Sequence, residues 1–303
     1  MNYPMNYSGT FAEIYSGLLA GIKSYPTNVI CNNNNMLYEL LNVTLTIDIV
    51  KDGSIPQVSI YSCADTRAVP IGFVLAEFAT ILTDDTDIKH LAKFNKNILN
   101  YVEYGTKASH YGTRLYSQLP KLLILLTKDK HTRKACANIW YAYELDLKHQ
   151  SCNVFLQFII RDNKLNLIVV SRSSDLLTGL IIDAVHWQLL LISFYWQLIM
   201  TVYPALDIGS VIYKISSLHV YATERELMYT LPKRQHGSEC ISQYEHNLPF
   251  YKTFSWLRSV AADVKQCYGL NDLTELYLFD GKQIDVINQL RAVYKSRKFN
   301  IIR

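Results

Sequence analysis

Within about thirty residues, the stretch QSCNVFLQFIIRDNKLNLIVVSRSSDLLTGLIID (150–183) carries Cys152, Arg172, Ser173, Asp175 and Asp183. A thiol stands in front of one strand, a guanidinium and a hydroxyl end the next, and two carboxyls precede a long apolar segment. That combination suits covalent handling of a small phosphorylated molecule. The thiolate is the nucleophilic form of cysteine, and a nearby guanidinium lowers a thiol pKa. An arginine beside a hydroxyl binds phosphate well. Plainer readings exist for each residue. A lone cysteine is commonly an inert small hydrophobe. Asp183 falls near the expected N-cap of the following helix, and Arg172 suits a solvated strand end. Glu77, inside the apolar FVLAEFATILT, is costly to bury unless paired or protonated, which makes it a proton-transfer candidate or else part of an exposed helix face. His219 and Tyr221 share one face of a predicted strand, as core packing or as a hydroxyl-binding pair.

Positioning these groups falls to elements that the periodicity marks out. Residues 9–24 have helical spacing and stop at Ser-Tyr-Pro. CNNNN at 31–35 is a loop, and LLNVTLTIDIV alternates as a strand. FVLAEFATILT reads as a helix, HYGTRL (110–115) as a loop, LPKLLILLTKD as a helix, and HTRKACANIWYAYEL as a turn leading into a strand. VFLQFIIRD and KLNLIVVSRSSD form a hairpin around Asp162-Asn163. After the apolar segment, GSVIYKISSLHVYA is a strand and TERELMYTL opens a helix. Strands and helices intermix without βαβ alternation, and no Gly-rich phosphate loop occurs. An α+β fold with a mixed sheet is therefore expected, not a Rossmann fold.

The chain has 303 residues, half of them apolar, enough for one large domain or two small ones. Its net charge of +4 comes from scattered Lys and Arg, and no basic run marks a nucleic-acid footprint. The cysteines show no CxxC pairing or zinc spacing, so no metal site and reduced thiols in the cytoplasm are expected. The N-terminus MNYPMNYSGTFAEIY lacks the regions of a signal peptide. In residues 180–206, Asp183, His186, Gln188 and Gln197 interrupt the apolar sequence, and the unbroken run LLLISFYW is too short for a bilayer. A helix buried at the centre of the domain is expected there, with no membrane contact.

The order Cys152, Gln157-Phe158, Arg172-Ser173-x-Asp175-x-x-x-Gly179, Asp183 and His219-x-Tyr221 resembles the thymidylate synthase family. RSSDLLTGLIIDAVHWQ and GSVIYKISSLHVY look most like the phage deoxycytidylate hydroxymethylases within it. The resemblance runs with gaps from about residue 73 to 225. It implies a large mixed sheet covered by helices around a long buried helix, in a single domain 1–303 with residues 227–303 as an atypical extension. By the same resemblance Cys152 matches the nucleophile that adds to pyrimidine C6. Glu77 matches the acid that orders water and assists proton transfer, and Tyr111 the tyrosine of the family's YG motif. Gln157, Arg172 and Ser173 match nucleotide and phosphate contacts. Arg133 and Lys134 match paired arginines that each subunit of a homodimer lends to the other's phosphate site. Gly179 matches the glycine flanking the base, and His219 and Tyr221 the pair on the deoxyribose 3′-hydroxyl. Asp175 matches the acid that holds the pterin, and Leu99 stands where the family has a Trp near the folate.

The implied reaction is transfer of a one-carbon unit from 5,10-methylenetetrahydrofolate to C5 of dCMP, with water completing a hydroxymethyl group. Asp183 carries the base assignment, because the family's thymidylate synthases resemble one another in having Asn there. Once C6 is attacked, cytosine offers two donors, which a carboxylate matches and an amide half-matches. The small side chain of Leu99 leaves room for water beside the new carbon. Other departures are Ser151 for the usual Pro, Lys134 for an Arg, Ser217 for an Asp, and a C-terminus (KFNIIR) unlike the family's closing tail. No counterpart of the N-terminal phosphate-binding Arg or Lys appears in CNNNNMLYELLN. A C5 methyltransferase or hydroxymethylase acting on dCMP, dUMP or CMP, and a nucleotide-binding homologue without catalysis, stay open as alternatives.

Overall fold

Asp162 (φ 49°) and Asn163 (φ 57°) adopt the left-handed backbone that a two-residue hairpin turn requires, so the strands on either side pair as the alternation predicts. The computed structural model describes residues 5–24, 27–30, 36–52, 55–59, 71–83, 88–92, 94–101 and 111–230. The predicted loop at 31–35 and the extension beyond Thr230 lie outside them. In chain order, β1 (Met5–Gly9), α1 (Phe11–Ser24), β2 (Thr27–Ile30) and the long β3 (Met36–Asp48) lead to a small hairpin of β4 (Val50–Asp52) and β5 (Ile55–Gln57). Four helices follow, α2 (Ile71–Thr83), α3 (Ile88–Ala92), α4 (Tyr111–Leu115) and α5 (Leu119–Lys128). Then come β6 (Cys136–Asn138), β7 (Asn153–Arg161), β8 (Lys164–Ser171), β9 (Ser174–Asp175), α6 (Gly179–Thr201), β10 (Asp207–Tyr221) and α7 (Arg225–Thr230).

The main sheet runs β1-β3-β10-β8-β7-β6, with β2 against β3 and β9 against β10. It is mixed: β10 is antiparallel to β3 but parallel to β8 and β9. The fold is α+β, as the sequence predicts. Leu156, Phe158, Leu165, Leu167, Val169, Val211 and Tyr213 alternate onto one face of the sheet and are fully buried there.

Helix α6 covers that face. It is the one helix among the described residues long and apolar enough to cross a membrane, and its side chains are mostly buried inside the fold. Phe194 stacks on Phe158 with ring centroids 3.9 Å apart. Three of its polar side chains act as pegs, each tied to a different neighbour. Gln188 exchanges hydrogen bonds with the Ser59 backbone (2.9 and 3.0 Å), and His186 Nε2 meets the Val74 carbonyl of α2 (2.9 Å). Asp183 reaches the sheet. It lies in the second turn, after an N-cap at Thr178, so the capping reading of Asp183 is corrected.

Two further expectations change. HYGTRL is not a loop throughout, since Tyr111–Leu115 is helical. Gly112 explains this, because a Cβ there would overlap the Thr80 carbonyl; only glycine lets α4 lie directly on the α2 backbone. The strand read in HTRKACANIWYAYEL is confined to Cys136–Asn138. Glu144 then accepts from the Tyr141 amide (3.0 Å) and winds Ala142–Asp146 into a short 3-10 turn.

Candidate active site

Cys152 immediately precedes β7, and its carbonyl accepts from the Arg172 amide and the Ser171 hydroxyl, both at 2.9 Å. The Arg172 side chain folds back over this loop. Its Nε donates to the Ser151 carbonyl and its Nη2 to the Gln150 carbonyl, each at 2.9 Å. The guanidinium pulls the Cys152 thiol down, as expected, but burial outweighs it. With Asp183, Asp175 and Glu144 adding negative charge, the thiol is pushed up to about 11. The expected net lowering is therefore corrected: at rest the group is a protonated thiol that gives up its proton as it attacks.

A β-bulge aims the next residue. Asn153 pairs with Ser171 but Phe155 with Val170, so one extra residue enters β7 and Asn153 turns to the same face as Leu156. There its Nδ2 donates to Asp183 Oδ2 (2.9 Å) and Tyr111 Oη (2.7 Å), while its Oδ1 accepts from Tyr213 (2.7 Å). The Tyr213 hydroxyl also lies 3.0 Å from Asp183 Oδ2. Its one proton is shared between these two acceptors, so Asp183 Oδ2 is engaged by Asn153 and Tyr213, while Oδ1 makes no hydrogen bond to another described residue. Burial pushes Asp183 up to about 6, against the Asn153 and Tyr213 hydrogen bonds that lower it.

Glu77 stands behind this network on α2. Its Oε2 is 3.8 Å from His186 Nε2, but burial presses the imidazole down to about 4, so His186 is neutral and supplies no counter-charge. Burial and the Asp183 charge raise Glu77 to about 8. Near pH 7 the site therefore holds one ionised and one protonated carboxyl, the arrangement that divides proton acceptor from proton donor.

On the other side of Cys152, Ser173 Oγ lies 3.3 Å from His219 Nδ1, and the His219 and Tyr221 rings meet edge to face at 5.1 Å. Asp175 pairs with His219 across β9 and β10 and accepts from the Leu177 amide (2.9 Å) and the Thr178 hydroxyl. Gly179 opens α6, and a Cβ there would meet nothing within 4 Å, which leaves room for a flat ring above the helix. Leu99 is 48 % exposed on a 3-10 turn (Lys96–Tyr101) whose Tyr101 ring meets His149, three residues before the thiol.

Three predicted residues are not brought to this cluster. Gln157 alternates onto the outer face of β7 and donates to the Arg133 carbonyl (2.8 Å). Arg133 and the neighbouring Lys134 are exposed there, roughly 15 Å of strand from the thiol of their own chain. Residues the sequence did not single out are Asn153, Tyr213, His186, Arg114 and Glu144. Tyr213 had a signal in its in-facing position on a predicted strand. Asn153 had none, because simple alternation carries it to the wrong face.

Comparison with known proteins supplies a family. The model of the thymidylate synthase family matches residues 57–247, a span that includes Glu77, Cys152, Asp183 and Tyr221. A thymidylate synthase of Vesicomyosocius okutanii subsp. Calyptogena okutanii (strain HA) is 25% identical over 170 residues, 52% of this chain and 62% of that protein. A deoxyuridylate hydroxymethyltransferase of Bacillus phage SP01 is 31% identical over 173 residues, 49% of this chain and 43% of that protein. The chain thus spans less than two thirds of the length of either relative. Among solved structures, the thermostable thymidylate synthase A from Bacillus subtilis superposes with a TM-score of 0.58 at 17% identity, covering 75% of this chain and 85% of that one, a likeness of fold.

Proposed function

Because the chain belongs to the thymidylate synthase family, we propose that it transfers a one-carbon unit to C5 of a pyrimidine deoxynucleotide, with dCMP as substrate and a hydroxymethyl group as product. One observation carries the base assignment. Asp183, an acid and not an amide, is held through Oδ2 by Asn153 and Tyr213 beside the Cys152 loop, with Oδ1 left without a hydrogen bond to a described residue.

The Cys152 sulfur adds to C6 of the ring and loses its proton, and C5 becomes an enamine nucleophile. Asp175 and the Leu99 edge would hold 5,10-methylenetetrahydrofolate, which would supply the carbon at the oxidation level of formaldehyde. C5 would give up its proton as tetrahydrofolate leaves, and loss of the Cys152 sulfur from C6 after water adds would free the product. Asp183 accepts from N3–H and the 4-amino group of the C6 adduct, the two donors that cytosine then presents. Glu77, protonated near pH 7, holds the water that completes the hydroxymethyl group and returns a proton where charge builds up. Arg172 and Ser173 take the phosphate, and His219 and Tyr221 the 3′-hydroxyl. Arg133 and Lys134, distant from their own thiol, serve the partner's phosphate in a homodimer.

A second reading is dUMP. It is favoured by the likeness to a deoxyuridylate hydroxymethyltransferase and by the raised pKa of Asp183, since a protonated carboxyl presents one donor and one acceptor, as an amide does. Incubating the protein with reduced folate and dCMP, dUMP or CMP in parallel, and weighing the products, decides between them. Conversion of dCMP with the mass gain of a hydroxymethyl group is expected. Conversion of dUMP alone, or a methyl gain with dihydrofolate formed, overturns the proposal. Failure to release tritium from [5-³H]dCMP would leave a binding protein without catalysis.

A further inference from the structure

Ser151 is bound at its amide, its hydroxyl and its carbonyl. Glu144, fully buried, accepts from the Ser151 amide through Oε2 (2.6 Å). Arg114, 4 % exposed, is ion-paired with Glu144 Oε1 and donates from Nη1 to the Ser151 hydroxyl and the Ile139 carbonyl, both at 2.6 Å. From the opposite side Arg172 Nε holds the Ser151 carbonyl. A buried ion pair recovers its desolvation through further hydrogen bonds, and here two of them, from Arg114 Nη1 and to Glu144 Oε2, end on the residue before the thiol. The pair also joins distant parts of the site. Arg114 lies three residues after Tyr111 on α4, so one short helix touches both the Cys152 loop and the Tyr111–Asn153–Asp183 network.

We propose that Arg114 and Glu144 are positioning residues that act through Ser151 as a clamp, fixing the direction from which Cys152 meets the ring. The ring itself rests on the function proposed above; the clamp rests on the hydrogen bonds alone. It does the work of a rigid residue before the nucleophile while leaving a serine there. Release of the clamp would let the loop swing toward solvent and water reach the sulfur.

The test is alkylation of the full-length protein by iodoacetamide across pH, read on the Cys152 peptide by mass spectrometry, for the parent, Ser151→Ala, Ser151→Thr and Glu144→Gln. Circular dichroism establishes which variants are folded. In Ser151→Ala and Glu144→Gln the alkylation midpoint should fall from about 11 toward that of an ordinary thiol. Turnover at saturating nucleotide should drop about tenfold or more with KM nearly unchanged, the signature of a displaced nucleophile. Ser151→Thr, which keeps hydroxyl and amide, should restore both. A folded Ser151→Ala with the parental alkylation profile overturns the clamp, and that variant decides the matter even if Glu144→Gln does not fold. Alkylation needs no nucleotide. A parent that turns over neither dCMP nor dUMP while its variants shift as described would sink the function and leave the clamp standing.

Discussion

Asp183 passes from an acid with one donor and one acceptor to a carboxylate with acceptors only as the pH rises through about 6. If it reads the base, turnover of dCMP relative to dUMP should climb through that same range in a competition assay. Asp183→Asn should favour dUMP and remove the pH dependence; an unchanged ratio would show that the residue does not touch the ring. Glu77 has a different pH signature. Its folded pKa, about 8, lies above the ordinary 4.5, so its contribution to stability is complete below about 4.5 and is lost as pH rises to about 8. His186 runs the other way: its folded value near 4 is depressed, so its contribution is lost as pH falls from 6.5. Glu77→Gln should therefore melt higher than the parent at pH 8 while losing roughly 10²–10⁴ in turnover, if the side chain transfers a proton. Thermal melts and rates measured on the same samples check both halves. Arg114 and Glu144 resembled ordinary surface charges in the sequence, since a pair 30 residues apart becomes one buried contact only after folding.

Elements with strong local signals were the legible part of the fold. The Asp162-Asn163 turn, the β7–β8 hairpin and the long apolar helix follow from backbone preference and periodicity, without help from distant contacts. The parts that stayed hidden depend on tertiary partners. β1 is a five-residue parallel strand whose pairing is supplied wholly by β3. The bulge in β7 leaves no compositional mark, yet it decides that Asn153 and not its neighbour meets Asp183. The α4 turn exists because Gly112 admits the Thr80 carbonyl, a reason visible only once α2 is in place. Gly112→Ala should force the two helices apart, lower stability by about 1–3 kcal/mol as overpacking does, and move Tyr111 away from Asn153. Melting temperature and turnover should both fall. A normal melt and normal rate would mean that α4 shifts freely.

For the whole molecule, the face of the sheet away from α6 is the informative surface. Phe155, Ile159, Ile168, Val170 and Ile212 lie half-buried there, an apolar area that the proposed homodimer would use. Arg133 and Lys134 border that face. If they serve the partner's phosphate, mixing inactive Cys152→Ser with inactive Arg133→Ala subunits should restore about a quarter of parental activity, because half of the dimers gain one complete site. Equal mixtures that stay inactive while dimerising would place these cations outside the reaction. Arg172 links the scales. Two of its nitrogens already grip the backbone in front of the sulfur, so an anion docking on the rest of its guanidinium loads a lever whose other arm is the nucleophile. A nucleoside lacking its 5′-phosphate would then react slowly even at saturation, and free phosphite added alongside it would quicken the chemistry without ever being bonded to the sugar.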